Sequence, residues 1–294
     1  MSAGRFVILQ DRGVLAVGGP DRASFLQGLV SNDTARISDE RAIYAALLTA
    51  QGKYLHDFML AGADEAIWLD GEAARLADLK RRLSMYRLRS KVTIDERPDL
   101  TVAALFGGPT LGLPAEPGTA RRLGDGIAFI DPRLAALGVR VIAPRKTIRP
   151  TFSEAGAEEA DFAEYDRCRL GLGVPDGSRD LVLEKSILLE SGFDELHGVD
   201  WQKGCYIGQE LTARTKYRGL IKKRLFPVRI DGPAPASGSV ITAADGHEAG
   251  EMRSSRDGIG LALLRLEAVA AGATLSVGDA VVKPATPQWL RLPE

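Results

Sequence analysis

The chain has 294 residues, of which 45% are hydrophobic and 26% charged, and a net charge of −1. This is an ordinary composition for a folded protein of about two or three domains, and the near-neutral balance argues against wholesale nucleic-acid binding. Two cysteines far apart, Cys168 and Cys205, exclude a disulfide framework and a cysteine-rich metal site; His56, His197 and His247 add no metal-ligand spacing. The N-terminal MSAGRFVILQ has no long apolar segment, so neither a signal peptide nor a membrane span is expected. A reducing, cytoplasmic location is the default expectation.

Phe6–Leu9 and Val14–Val17 flank Asp11-Arg12-Gly13 and read as a hairpin. A helix capped by Asp21 runs through Phe25, Leu26 and Leu29 to a polar turn at Ser31–Thr34. Residues 43–48 and 54–60 form a strand pair around Ala50–Lys53, and 67–69 one more strand. From Glu72 to about Leu88, Leu76, Leu79, Leu83 and Tyr86 recur at helical spacing. Lys80, Arg81, Arg82, Arg87 and Arg89 solvate that helix and its C-terminal end. Strands follow at 91–94, 101–106, 127–130 and 139–142, with a Gly/Pro-rich loop at 107–118. Frequent hairpins with two helices indicate an α+β layer on a largely antiparallel sheet.

Residues 144–155 show little periodicity and read as a crossing segment. Glu158–Leu170 reads as a helix with Phe162, Tyr165 and Arg169 on one face and Cys168 as a small core residue, stopped by Gly171 and Gly173. Beyond Gly219, short strands alternate with turns such as Asp245-Gly246 and Asp257-Gly258, the pattern of a small antiparallel barrel. Two domains are expected, 1–219 and 220–294.

The most informative stretch is Lys203-Gly204-Cys205-Tyr206-Ile207-Gly208-Gln209-Glu210. Its glycines suit a shaped turn presenting Cys205, and Lys203 favours the thiolate, the reactive form. From Lys203 to Arg224 seven positive charges face one negative, Glu210, an anion-attracting surface.

KGCYIGQE resembles the signature of the YgfZ family, folate-binding proteins related to the aminomethyltransferase (T-protein) of glycine cleavage. Ser24–Leu29 with Ser31-Asn32-Asp33, Tyr44–Gly52, Tyr86–Val92, Arg169–Pro175 and Leu189-Glu190 are similar to the same pattern, so the likeness runs along nearly the whole chain. It implies an α+β fold of three lobes in a ring with a small C-terminal antiparallel β-barrel. Region 1–219 would form two interleaved folate-binding lobes.

The resemblance also implies tetrahydrofolate, or a derivative, as cofactor, with no stably bound metal. Glu190 would meet the pterin edge, Asp57 would belong to the same binding set, and Arg214, Lys216 and Arg218 would meet the anionic tail. On a strand those three would share one face. Tyr206 or Trp201 either stacks on a flat ring or fills the core. The transferases carry adjacent Asp residues where this chain reads Gly52-Lys53-Tyr54-Leu55-His56-Asp57. Only Asp57 remains, with His56, a residue that moves protons near neutral pH, at the other place.

An acid lost and a thiol gained argue against ordinary aminomethyl transfer. The expected role is a folate-dependent accessory factor for assembly or repair of clusters in [4Fe–4S] enzymes, including tRNA-modifying ones. Its functional residues would be Cys205 and Lys203. Its partners would be iron–sulfur enzymes or cluster carriers, with no stable nucleic acid and no membrane. The alternative is a folate-dependent one-carbon transferase or demethylase acting on a small amine; a basic nucleic-acid binder is the weakest reading.

Overall fold

A computed structural model describes residues 4–219, 221–272 and 274–292. Met1–Ala3 of the N-terminal stretch, and Leu220, the expected first residue of the C-terminal domain, lie outside the described residues. The chain divides into two compact units that interleave in sequence.

The first unit comprises the N-terminal residues to 48, then 56–165 and 196–207. It holds two sheets. One runs in the order Glu158–Glu159, Arg5–Ile8, Leu100–Phe106, Val139–Pro144, Gly126–Ile130, Ala120–Leu123. All its pairings are antiparallel except that of Arg5–Ile8 with Glu158–Glu159. The other runs Ile43–Leu48, Tyr54–Ala63, Ala66–Glu72, Arg12–Gly18, Thr93–Glu96.

The expected hairpin at the N-terminus is therefore corrected. Arg5–Ile8 pairs with Leu100–Phe106, whereas Arg12–Gly18 pairs with Ala66–Glu72 and Thr93–Glu96. Between them Leu9 N–H donates to Val102 O and Asp11 O accepts from Ala73 N–H, so the turn is spent on tertiary partners.

Three helices lie within this unit: α1 (Arg22–Gln27), α2 (Leu76–Met85) and α3 (Arg145–Glu154). The last was expected as a crossing segment; Pro150 inside it masks the pattern, yet Ile148 and Phe152, four apart, are buried. Phe152 packs on Phe6 with ring centroids 4.9 Å apart, within a core that includes Leu105, Ile130 and Val141. α4 (Phe162–Gly171) begins later than expected because Glu158–Glu159 is a strand and Asp161 accepts from Glu164 N–H at its start.

The second unit comprises residues 49–55, 166–195 and those from 208 onward. It contains α5 (Gly177–Asp180), α6 (Gln209–Tyr217), α7 (Leu266–Ala270) and a closed antiparallel barrel. The barrel order is Lys223–Asp231, Ile259–Arg265, Glu248–Arg256, Val240–Ala243, Leu275–Val277, Ala280–Pro284, closing on the first strand. Phe226, Ile241, Met252, Ala262, Leu264 and Val282 fill it. α6 is unforeseen in the sequence, and it decides where the basic residues point.

Candidate functional site

In the first unit the signature loop is stapled beside the end of α1. Ser31 Oγ donates to Gly198 O (2.6 Å), Asn32 Nδ2 to His197 O (2.7 Å), Asp200 N to Ser31 O (3.1 Å) and Ile207 N to Gly28 O (3.2 Å). At the centre, Lys203 Nζ donates to the carbonyls of Gln27 (2.8 Å), Val30 (2.6 Å) and Asn32 (2.9 Å). All three ammonium protons are thus used on carbonyls at and just beyond the negative end of a helix.

Burial pulls the Lys203 ammonium down to about 8, against the opposing pull of Asp33 and Asp200. It also lies 5.1 Å from the centroid of the buried Tyr206 ring. Lys203 therefore shapes the loop, and it is the loop that presents Cys205, which is exposed. Cys168 is half-buried on α4, where desolvation pushes its thiol up.

The two glycines of the signature have different duties. Gly208 takes φ 81°, a left-handed conformation at the N-cap of α6. A Cβ on Gly204 would meet nothing within 4 Å.

Asp57 is buried and accepts from Tyr44 Oη (2.8 Å); burial, and then the Asp57 carboxylate, push the Tyr44 hydroxyl well above its ordinary value. Nearby, Arg12, Asp70, Arg140, Asp131 and Arg133 form a buried ion network. Arg12 Nε meets Asp70 at 2.6 Å, Arg140 meets Asp70 at 2.8 Å and Asp131 at 3.3 Å, and Arg133 meets Asp131 at 2.8 Å. Burial opposes ionisation of Asp131, but the two guanidiniums outweigh it and hold its carboxyl below the usual range.

His56 is bound otherwise than expected for a proton carrier. Its Nε2 lies 2.9 Å from Asp78 on α2, and burial lowers its pKa to about 4, so it is neutral at neutral pH. The ring packs as an anchor for α2.

In the second unit Glu190 lies on a short 3-10 turn, Leu188–Ser191, ended by Gly192 at φ 79°. Its half-buried carboxylate accepts no hydrogen bond among the described residues, and burial raises its pKa while Lys53, Lys223, Arg224 and Arg253 pull it down. The turn is held by Arg224, a buried residue that sequence reasoning counted only as part of a basic run. Its guanidinium donates to Leu189 O (2.9 Å) and to Glu195 Oε1 (2.5 Å). The signal that would have found it is its place in the first barrel strand, two residues before the barrel-core Phe226 and on the same face by strand alternation.

The alternating strand expected for Arg214, Lys216 and Arg218 is α6 and its C-cap instead. At about 100° per residue, Lys216 points away from the other two. Arg214 pairs with Glu210 (2.5 Å) and Lys216 with Asp194 (2.6 Å), while the exposed Arg218 has no ion pair among the described residues.

Residues 222–292 match the family described as CAF17, C-terminal beta-barrel domain, the segment that forms the closed barrel. The whole structure is similar to the crystal structure of glycine cleavage system aminomethyltransferase T from Bartonella henselae. The TM-score is 0.79 at 15% identity, covering 98% of this chain and 87% of that one. This likeness shows the fold, as expected. Among curated proteins, the iron–sulfur cluster assembly factor IBA57, mitochondrial, of Mus musculus is 35% identical over 96% of this chain and 84% of its own length. This chain belongs to the IBA57 family. The Homo sapiens factor is 36% identical over 89% of this chain and 77% of its own length.

Within the IBA57 family the cytoplasmic expectation does not stand, because these relatives are named as mitochondrial factors. The resemblance to the YgfZ family is met at the level of IBA57 and the aminomethyltransferase fold.

Proposed function

We propose that this IBA57 family member serves iron–sulfur cluster assembly as a tetrahydrofolate-binding accessory factor, with Cys205 as its functional thiol. The observation that carries the folate part is Glu190. A half-buried carboxylate with no internal hydrogen bond suits the donor-rich edge of a pterin ring, and the cations around it suit an anionic tail. Bound there, a reduced folate would supply a one-carbon carrier or a reductant. Glu190 would orient it, and Arg224 would hold Glu190 in place through Leu189 and Glu195. Arg218, which has no ion pair among the described residues, would be the expected tail contact left free to meet an anion.

The cluster part rests on the relatives, which are named iron–sulfur cluster assembly factors. In this reading the stapled loop offers Cys205 at the surface to an iron–sulfur client, including [4Fe–4S] enzymes that modify tRNA. A stable cluster usually takes four protein thiolates, so Cys205 would act together with ligands of the partner.

Calorimetric titration with tetrahydrofolate tests the site. Wild type should bind in the micromolar range and Glu190→Gln about tenfold more weakly, a difference of about 1.4 kcal/mol. Absence of binding by wild type sinks the folate role. Separately, Cys205→Ala should fail to restore [4Fe–4S] enzyme activity in a deletion strain, and full rescue sinks the thiol role.

A further inference from the structure

Seven large hydrophobic residues are exposed among the described residues, and three of them fall within four positions: Met85 (57% exposed), Tyr86 (41%) and Leu88 (89%). They sit where α2 ends. Leu88 has φ 40°, a left-handed conformation that a leucine adopts only at a cost in strain. Nothing in the packing repays that strain, since the side chain lies in solvent. Glycine or asparagine would fit the turn better.

The loop is held firmly. Tyr86 N donates to Leu83 O (3.0 Å), Arg87 N to Ser84 O (3.2 Å), Ser90 N to Arg87 O (2.8 Å), and Lys91 N to Asp21 Oδ2 (2.7 Å). Leu88 is thus displayed on a preformed turn.

The segment itself carries one sign of charge, with the Asp21 carboxylate meeting it at the Lys91 amide. Lys80–Lys91 contains six basic residues and no acidic one. Asp78 pairs with Arg81 (2.5 Å) and Arg82 (2.7 Å), and Lys80 lies 3.9 Å from Asp95. Arg87, Arg89 and Lys91 are exposed and have no ion pair among the described residues. α2 stops at Met85, so Arg87 and Arg89 lie just beyond its C-terminal end and solvate that end rather than the helix itself.

We propose that the Met85–Lys91 turn is a peripheral contact for an anionic phospholipid surface, with Leu88 and Met85 entering the interface and Arg87, Arg89 and Lys91 meeting the headgroups. No described helix is long and apolar enough to cross a membrane, so the contact is reversible and superficial. Aliphatic groups flanked by unpaired cations are what an acyl–headgroup boundary accepts. Single-stranded nucleic acid would want flat rings to stack on, and the sole aromatic, Tyr86, is the least exposed of the three. An acidic protein would need a socket matched to Leu88, whereas a fluid bilayer needs no shape match. This inference stands apart from the folate and thiol reading.

The test is flotation of the full chain with vesicles of phosphatidylcholine mixed with an equal amount of phosphatidylglycerol, beside vesicles of phosphatidylcholine alone. Wild type should float with the anionic vesicles at low salt, be released by high salt, and bind the neutral ones weakly. Leu88→Asn, which suits the left-handed turn, should reduce binding about tenfold at unchanged thermal stability. Arg87→Gln with Arg89→Gln should do the same by a separate route. Failure of wild type to float at low salt overturns the proposal, as does full binding by Leu88→Asn. Displacement of the protein from vesicles by tRNA at low molar ratio, with the same dependence on Arg87 and Arg89, would reassign the face to nucleic acid and overturn it too.

Discussion

Replacing Lys203 by Met should loosen the loop that carries Cys205. The wild-type ammonium makes three bonds of 2.8, 2.6 and 2.9 Å to the carbonyls of Gln27, Val30 and Asn32. Bonds from a charged donor contribute about 1.5–3 kcal/mol each, so about 4.5–6 kcal/mol for three at the lower and middle part of that range. Against this stands the cost of burying the ammonium. A pKa drawn from 10.5 to about 8 corresponds to at most about 3 kcal/mol, at about 1.4 kcal/mol per pH unit, and the partial exposure of the side chain brings it below that ceiling. Methionine keeps much of the stem and escapes that cost, leaving a net loss of about 1.5–3 kcal/mol.

The assay is urea unfolding followed by circular dichroism, with limited proteolysis mapped by mass spectrometry. The midpoint should fall, and new cuts should appear between residues 198 and 207. Arginine at the same place cannot converge three donors on one point and should recover less than half of the loss. A Lys203→Met protein within about 0.5 kcal/mol of wild type, with no new cuts, would refute the reasoning; that margin is the ordinary scatter of surface substitutions.

Four further outcomes follow from the same structure. His56 is neutral when folded, with a pKa near 4 against 6.5 when unfolded, so the unfolded state binds the extra proton first. Stability should fall by about 2–3 kcal/mol as pH drops from 6.5 to about 4, and a His56→Gln protein should show a flatter profile in pH-dependent urea titrations. Arg169 is buried against Asp166 (2.7 Å) and Asp180, and donates to Ser254 Oγ (2.7 Å); Arg169→Met should cost about 3–5 kcal/mol by calorimetry, and a small effect would mean the ions are hydrated. Gly208→Ala should cost about 1–2 kcal/mol for its left-handed N-cap while Gly204→Ala should cost almost nothing, a contrast that thermal melts can read. Iodoacetamide should label Cys205 well ahead of the half-buried Cys168, and equal rates in peptide mapping would contradict the burial difference.

What the sequence determined by itself was local and repetitive. Apolar runs bounded by Gly and Asp turns named most strands of both sheets and of the barrel, because alternation and turn chemistry are written in adjacent residues. The KGCYIGQE stretch, with its flanks along the chain, pointed to the aminomethyltransferase fold and to Cys205 as an exposed thiol on a shaped loop.

Tertiary structure decided where the polar groups go. Arg5–Ile8 and Arg12–Gly18 look like a hairpin in sequence, and long-range backbone bonds send them to different sheets. Lys203 looks like a partner for a thiolate, and three carbonyls more than 170 positions away take its protons. Arg224 looks like one more surface charge, and its buried contacts to Leu189 and Glu195 make it the support of Glu190. Charge and residue type can be read from a chain. The partner that satisfies a buried donor cannot, because it is chosen by whichever distant acceptor the fold brings within about 3 Å.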